Sequence, residues 1–506
     1  MCHLSLEAKR EATGQPPLHR FIDLASSDRV STRRSCPSHR YVQHQQHQSC
    51  SQSLARRGSR LRAVGAMAFL FADRPALLKD LDNDEARVLE YERVRDRWFA
   101  FTVPFSIAHG CVVTLITYAS TVQGTELANC GLAAFYACYT LSALTLATVF
   151  VDREGPRRSM LIGFGAYCVL AFSYALYSLT SNAITFAIVI IASAGGGIGG
   201  GLIWVSQSRH YAAMCKDAAG PAPNNFASSF AFWYIGTEGV VKLLTASFLT
   251  VVDDLTVACT TLFILLVAAY GAMVLRPESC GFATDTEGDI VNTMRSVSLS
   301  SISSVAKAHA EDPRIVPLSP PWLAFGFSSA AFTSWYAGVV STYRPNALVG
   351  FAAAEVALVA GALAPLFGWL AARFGLRAPV IAGATSYVVL GVIMAVAGME
   401  QNLTDNGSLW VYCFFIGAVR SFYENTSKML VVEFLEDAPS LVNRAMAAMY
   451  FHNGSASTIT FLCLLIPANP YRGIGGAMVG FGLLIGAGFL RLRSLKDTET
   501  GYTLLA

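Results

Sequence analysis

The chain has 506 residues, 53% hydrophobic and 14% charged, with a mean hydropathy of +0.45 and a formal net charge of +3. Soluble domains carry about 25% charged residues, so this composition excludes a water-soluble globular protein. The small positive excess lies in the loops between apolar runs, where it reports membrane topology and implies no nucleic-acid partner.

Residues 1–73 form a basic, Ser- and Arg-rich tail that is expected to be disordered. From Arg29 to Ala66 it holds no Asp, Glu or Lys. Acid-poor, Arg-rich composition marks organellar transit segments; a gene start at Met67 is the other reading. Residues 74–97 are charged and read as a cytosolic amphipathic helix that leads into the first apolar run.

At about 20 residues per spanning helix, twelve apolar runs follow. They lie near 98–122, 129–151, 159–180, 183–206, 226–252, 255–275, 321–343, 347–371, 378–398, 408–431, 445–467 and 473–490. Residues 98–275 make an N-terminal six-helix bundle and 321–492 a C-terminal one. A flexible polar linker, 276–320, joins them, and 493–506 is a cytosolic tail. The inner loops hold twelve Lys or Arg and the outer loops only Arg344 and Arg472, which places both termini in the cytosol. Plasma membrane and endomembrane both fit. The fold class expected is an all-α bundle in two pseudo-symmetric halves, with the lipid bilayer as its solvent.

Two polar turns repeat 220 residues apart, at Asp152-Arg153-Glu154-Gly155-Pro156-Arg157-Arg158 and Ala372-Arg373-Phe374-Gly375-Leu376-Arg377. The same shift maps helix 4 onto 10, 5 onto 11 and 6 onto 12 without a gap. With Thr148 and Gly368 before them, both copies resemble the G-x-x-x-D-R-x-G-R-R signature of the major facilitator superfamily, between helices 2 and 3 and again between 8 and 9. The resemblance covers about residues 95 to 492. It implies a gating turn made of Asp152, Arg153, Gly155, Arg157, Arg158, Arg373, Gly375 and Arg377. Glycine permits the sharp turn, while the arginines meet headgroups, carboxylates or helix C-termini and Asp152 pairs with them or with a helix N-terminus of the other half. Simple positive-inside anchoring would need the arginines alone. Thr148 and Ala372 depart from the signature, so any lock between the halves is one-sided.

Gly199-Gly200-Gly201-Leu202-Ile203-Trp204-Val205-Ser206-Gln207 and Gly155-Pro156-Arg157-Arg158 also resemble the Unc-ninety-three-like branch, named for ion-channel regulatory proteins. That branch would imply a non-transporting regulator or trafficking partner of another membrane protein. The glycine run 195–201 sets three small-xxx-small pairs and reads first as a close-packing face. Trp204 and Gln207 are cavity candidates, although Trp at a helix end also serves as an interfacial anchor.

A charge at mid-membrane costs about 2.5–3.5 kcal/mol on insertion scales, so ionisable groups within spans are the strongest functional signal. They are His109, Glu238, Lys242, Glu355, Arg420, Glu424 and His452, with Asn453 beside the last. In the superfamily's fold, helices 3, 6, 9 and 12 stand outside, and all seven ionisable groups lie on the other eight. Glu238/Lys242 and Arg420/Glu424 are spaced i,i+4 and are expected to pair. They read either as structural ion pairs or as a central solute site. His109 and His452 read as proton carriers or as packed, hydrogen-bonded residues. The helix-4 proton-coupling arginine and the helix-5 antiporter signature of the superfamily are absent, which disfavours drug:proton antiport.

Asn402 and Asn406 open glycosylation sequons in the outer loop between helices 9 and 10. Tyr502-Thr-Leu-Leu505 has the form of a Tyr-x-x-apolar sorting signal. No cysteine–histidine spacing resembles a metal site, and neither a cofactor nor an enzymatic activity is expected. The function expected is transport of a small polar or charged solute by alternating access; the alternative is the Unc-ninety-three-type partner role.

Overall fold

The computed structural model describes residues 83–217, 222–275, 307, 309–398, 400–435, 439–466 and 470–503. The readings of the 1–73 tail, of Met67 and of most of the 276–320 linker lie outside these residues.

Among the described residues every regular element is helical. In the first half the long ones are α1 (Asn83–Thr117), α2 (Thr125–Leu144), α3 (Leu146–Thr180, broken by a kink at Gly155), α4 (Ala183–Asp217), α5 (Ala222–Val252) and α6 (Leu255–Leu275). In the second, α7 runs Ile315–Tyr343 with a π-helical stretch at Ala331–Tyr336. It is followed by α8 (Asn346–Phe374) and α9 (Arg377–Ala397). Three consecutive segments, Asn406–Ser421, a π-helical Phe422–Ser427 and Lys428–Phe434, make up α10. Two more helices, α11 (Pro439–Cys463) and α12 (Tyr471–Thr503), complete the bundle. Adding 220 to the bounds of α4 gives 403–437, against 406–434 for α10, so the repeat in sequence is a repeat in helix placement.

Ten of the described helices are long and apolar enough to cross a membrane. The two that fall short of the twelve expected are α10 and α11. They carry Arg420, Glu424 and Lys428, and Arg444, His452 and Asn453. Helices that spend side chains on polar chemistry lose apolar average, and these two supply much of the site described below.

Three boundaries differ from the sequence reading. Helix α1 continues unbroken across 97/98, so the charged segment from Asn83 is the foot of the first span, not a separate helix. Val94, Trp98, Phe101 and Phe105 are all buried along it, a helical stripe that leaves no reason to break. Helix α7 starts at Ile315, ahead of Pro320 and Pro321, which remove backbone donors but keep a helical φ near the helix start. Helix α12 runs on to Thr503, into the segment read as a tail.

Buried apolar side chains gather in two clusters, one centred on α1–α6 and one on α7–α12. Within the halves α3 packs on α4 and α2 on α4, while α9 packs on α12 and α7 on α11. The halves meet along α5 with α8 and α2 with α11. From Gly196 to Gly201 the glycine run on α4 is the packing face it was read as, while Gly195 meets nothing within 4 Å. A Cβ on Gly197 would lie 2.0 Å from the Phe135 carbonyl oxygen of α2, and one on Gly199 2.7 Å from the Gly163 carbonyl oxygen of α3.

Candidate functional site

The polar turns are built by backbone strain. Gly155 has φ 79° and ψ 162°, and Gly375 has φ 72° and ψ 173°, a region closed to residues with a Cβ. Pro156 follows at the first helical position after this break in α3, where its missing N–H costs nothing. Among the described residues, however, no arginine of either turn pairs with the other half. Arg153 and Arg158 both pair with Glu154 of their own turn, at 3.3 and 3.5 Å. Arg373 and Arg377 are exposed, as is Ala372. The side chain of Asp152 lies outside the described residues.

The ionisable groups within the spans converge far more tightly. On α5, Glu238 and Lys242 stand one turn apart and both are buried. Lys242 Nζ donates to Glu238 Oε1 at 2.6 Å. From α10 in the opposite half, Arg420 Nη1 donates to Glu238 Oε1 at 2.7 Å and Nη2 to Oε2 at 2.5 Å, a fork-on-fork contact. One carboxylate with no exposed surface therefore holds two cations, one from each half of the molecule. The expected Arg420/Glu424 pair is not formed. Glu424 lies in the π-helical stretch, whose wider turn alters the i,i+4 register, and Arg420 takes the bidentate partner across the interface instead. Glu424 accepts from Tyr234 Oη at 3.2 Å and from Lys428 Nζ at 3.4 Å.

In front of this network is a cavity of about 150 Å³ between the halves. Its wall comes from α1, α2, α4 and α5 and from α7, α8, α10 and α11, with Tyr167 the one contribution from α3. His109, Trp204, Lys242, Arg420, Glu424 and Asn453 line it as expected. His109 Nδ1 has no hydrogen-bond partner, and the ring packs edge-on to Trp204 and Tyr234 with centroids 5.3 Å from each. Asn453 donates to Tyr423 Oη at 3.2 Å, and Tyr423 stacks on Phe325 at 3.9 Å.

Four expected cavity residues are placed elsewhere. Glu238 is sealed behind its two cations. Gln207 is buried on α4 away from the wall. His452 turns its Nδ1 to the Ala448 carbonyl at 2.7 Å and packs against Trp322 and His309. Glu355 is half-buried on α8, where Val356 lines the cavity in its place, and its Oε2 has no partner. A helix shows each face to a different neighbour, so membership of a lining helix does not put a residue on the lining face.

The wall also includes residues outside the sequence expectation. Lys428 continues the i,i+4 series from Arg420 and Glu424 and was legible as such. Tyr136, Tyr139, Tyr234, Tyr423 and Tyr450 were not, because aromatic residues in apolar spans look like core until the fold turns them inward. At Phe332, Thr333, Tyr423 and Glu424 the wall is formed by the two π-helical stretches. Away from the cavity, Asn402 Nδ2 donates to the Ala397 carbonyl at 2.7 Å within the sequon loop, and the side chain of Asn406 lies outside the described residues. Among the described residues no three His, Cys, Asp or Glu side chains cluster as a metal would need.

Comparison with solved structures identifies the architecture. The nucleoside transporter NupG superposes with a TM-score of 0.57 at 10% identity, over 79% of this chain and 99% of that one. The peptide transporter POT in complex with sulfate gives 0.56 at 15%, over 79% and 94%. The xylose transporter XylE from E. coli, in a partially occluded inward-open conformation, gives 0.52 at 16%, over 78% and 97%. The chain has the major facilitator fold. At these identities the likeness concerns the fold alone; no family profile and no curated protein matches the sequence.

Proposed function

We propose that the protein is a multi-pass membrane transporter of the major facilitator type that moves a small polar or charged solute by alternating access. The observation that carries this reading is the cavity at the junction of the halves, walled by both and backed by a Glu238–Arg420 contact that joins them. A site made jointly by two repeats near mid-span is what a rocking mechanism requires, because tilting one half against the other exposes the same groups to either side. Close approach at the seam favours discrete arrangements over gradual deformation. A Cβ on Gly454 of α11 would lie 2.0 Å from Thr140 Oγ1 of α2, and one on Gly239 of α5 would lie 2.8 Å from the Leu358 side chain of α8.

In this reading α10 and α11 complete twelve spans, the Gly155 and Gly375 turns face the cytosol with both termini, and the cavity binds without catalysing. Solute uptake by the purified full chain in liposomes tests it. Saturable, gradient-driven flux that is lost in Arg420→Ala is expected. Absence of flux for every solute that binds the cavity, with a membrane protein co-purifying, would overturn it in favour of a partner role.

A further inference from the structure

Charge around the cavity does not balance. The groups that line it or pair with a lining group are two carboxylates, Glu238 and Glu424, and three cations, Lys242, Arg420 and Lys428. Glu424 and Lys428 cancel one another. The surplus sits at Glu238, where one carboxylate meets two cations. Both of those cations line the cavity and the carboxylate does not. Protonation of His109 would only enlarge the excess. A positive charge held at mid-membrane without a counter-ion is expensive, and the geometry leaves one place from which an anion can supply it, the cavity side of Lys242 and Arg420. Donors are free for that role: Lys242 has three N–H groups with one directed to Glu238.

Much of the remaining wall is aromatic, with Trp204, Tyr234, Phe325 and Tyr423 around the space and Val, Ile, Ser and Thr side chains between them. The space of about 150 Å³ is of the volume that holds a molecule of benzene size, which sets the scale of the solute.

We infer that the solute is a small organic monoanion of the carboxylate class, its carboxylate placed between Lys242 and Arg420 and its apolar body against the aromatic wall. This deepens the transport reading and rests on it for the word solute, but binding is measurable separately from flux. The test uses three probes of matched shape, benzoate, benzamide and benzylamine, titrated onto the purified full chain with the quenching of tryptophan fluorescence as readout. Benzoate is expected to bind at least tenfold more tightly than either of the others. Lys242→Gln is expected to abolish that preference while leaving the melting temperature of the empty protein close to the parent's, because the lost bond to Glu238 offsets relief of the surplus cation. Lys242→Arg is expected to keep the preference. Equal binding of the three probes, preference for benzylamine, or failure of benzoate to bind at millimolar concentration would overturn the inference. Benzoate binding without flux would leave the site standing and sink the transport reading; flux of a cation or neutral solute without benzoate binding would do the reverse.

Discussion

Replacing Glu238 with Gln is expected to damage the protein far more than replacing Lys242 with Met, although the two side chains are bonded to each other. Glu238 is fully buried and accepts three charge-assisted hydrogen bonds of 2.5–2.7 Å from two cations. Neutralising it leaves Lys242 and Arg420 buried side by side with no anion. Breaking a buried pair so that a charge is stranded costs about 3–5 kcal/mol, and here two are stranded. Removing Lys242 strands nothing, because Arg420 still engages both carboxylate oxygens and the local charge falls to zero. The lost charged hydrogen bond is worth about 1.5–3 kcal/mol, offset by no longer burying a surplus cation at several kcal/mol. Net change is then within about 1 kcal/mol of zero, a gap of at least about 3 kcal/mol between the variants. Thermal unfolding of both in lipid nanodiscs reads the order directly. Equal destabilisation, or a Glu238→Gln variant as stable as the parent, would refute the charge accounting.

Other outcomes follow from geometry elsewhere. Gly197→Ala drives a methyl onto the Phe135 carbonyl and is expected to cost about 1–3 kcal/mol through overpacking. Gly195→Ala, with nothing within 4 Å, should be neutral or gain up to about 1 kcal/mol from helix propensity; similar melting points for the two would contradict the packing role given to the run. Gly375→Ala meets no neighbour but is confined to a glycine-only backbone region, so a loss of about 1–3 kcal/mol is expected from strain alone. Glu355→Gln should leave benzoate affinity unchanged within about twofold, since Glu355 lies off the cavity wall; a tenfold change would put it back at the site.

Much of the architecture was written in the chain itself. Apolar runs of spanning length, separated by Arg-bearing turns that recur after 220 residues, already described two repeated helical bundles. Glycines 195–201 announced a close-packed face, and α4 proved to be wedged between α2 and α3 through it. These features are local or periodic, so they survive in one dimension. The charged groups of the site were also visible, because a charge within an apolar run stands out against its background. Their partners were not. The i,i+4 spacing gave Glu238/Lys242 correctly, since both lie on one regular helix, and gave Arg420/Glu424 wrongly, since a π-helical stretch begins two residues after Arg420.

What only the tertiary structure decided is which faces meet. It brought Arg420 of one half onto Glu238 of the other, 182 positions away in sequence. It turned Glu355, Gln207 and His452 off the cavity, and turned in a set of tyrosines that nothing in the sequence distinguished from core. The physical reason is the same throughout: composition and periodicity fix which residues share a helix and where a charge is costly. The angle at which each helix faces its neighbours depends on packing across the whole bundle, and that angle determines which cation neutralises which carboxylate and which is left to meet a solute.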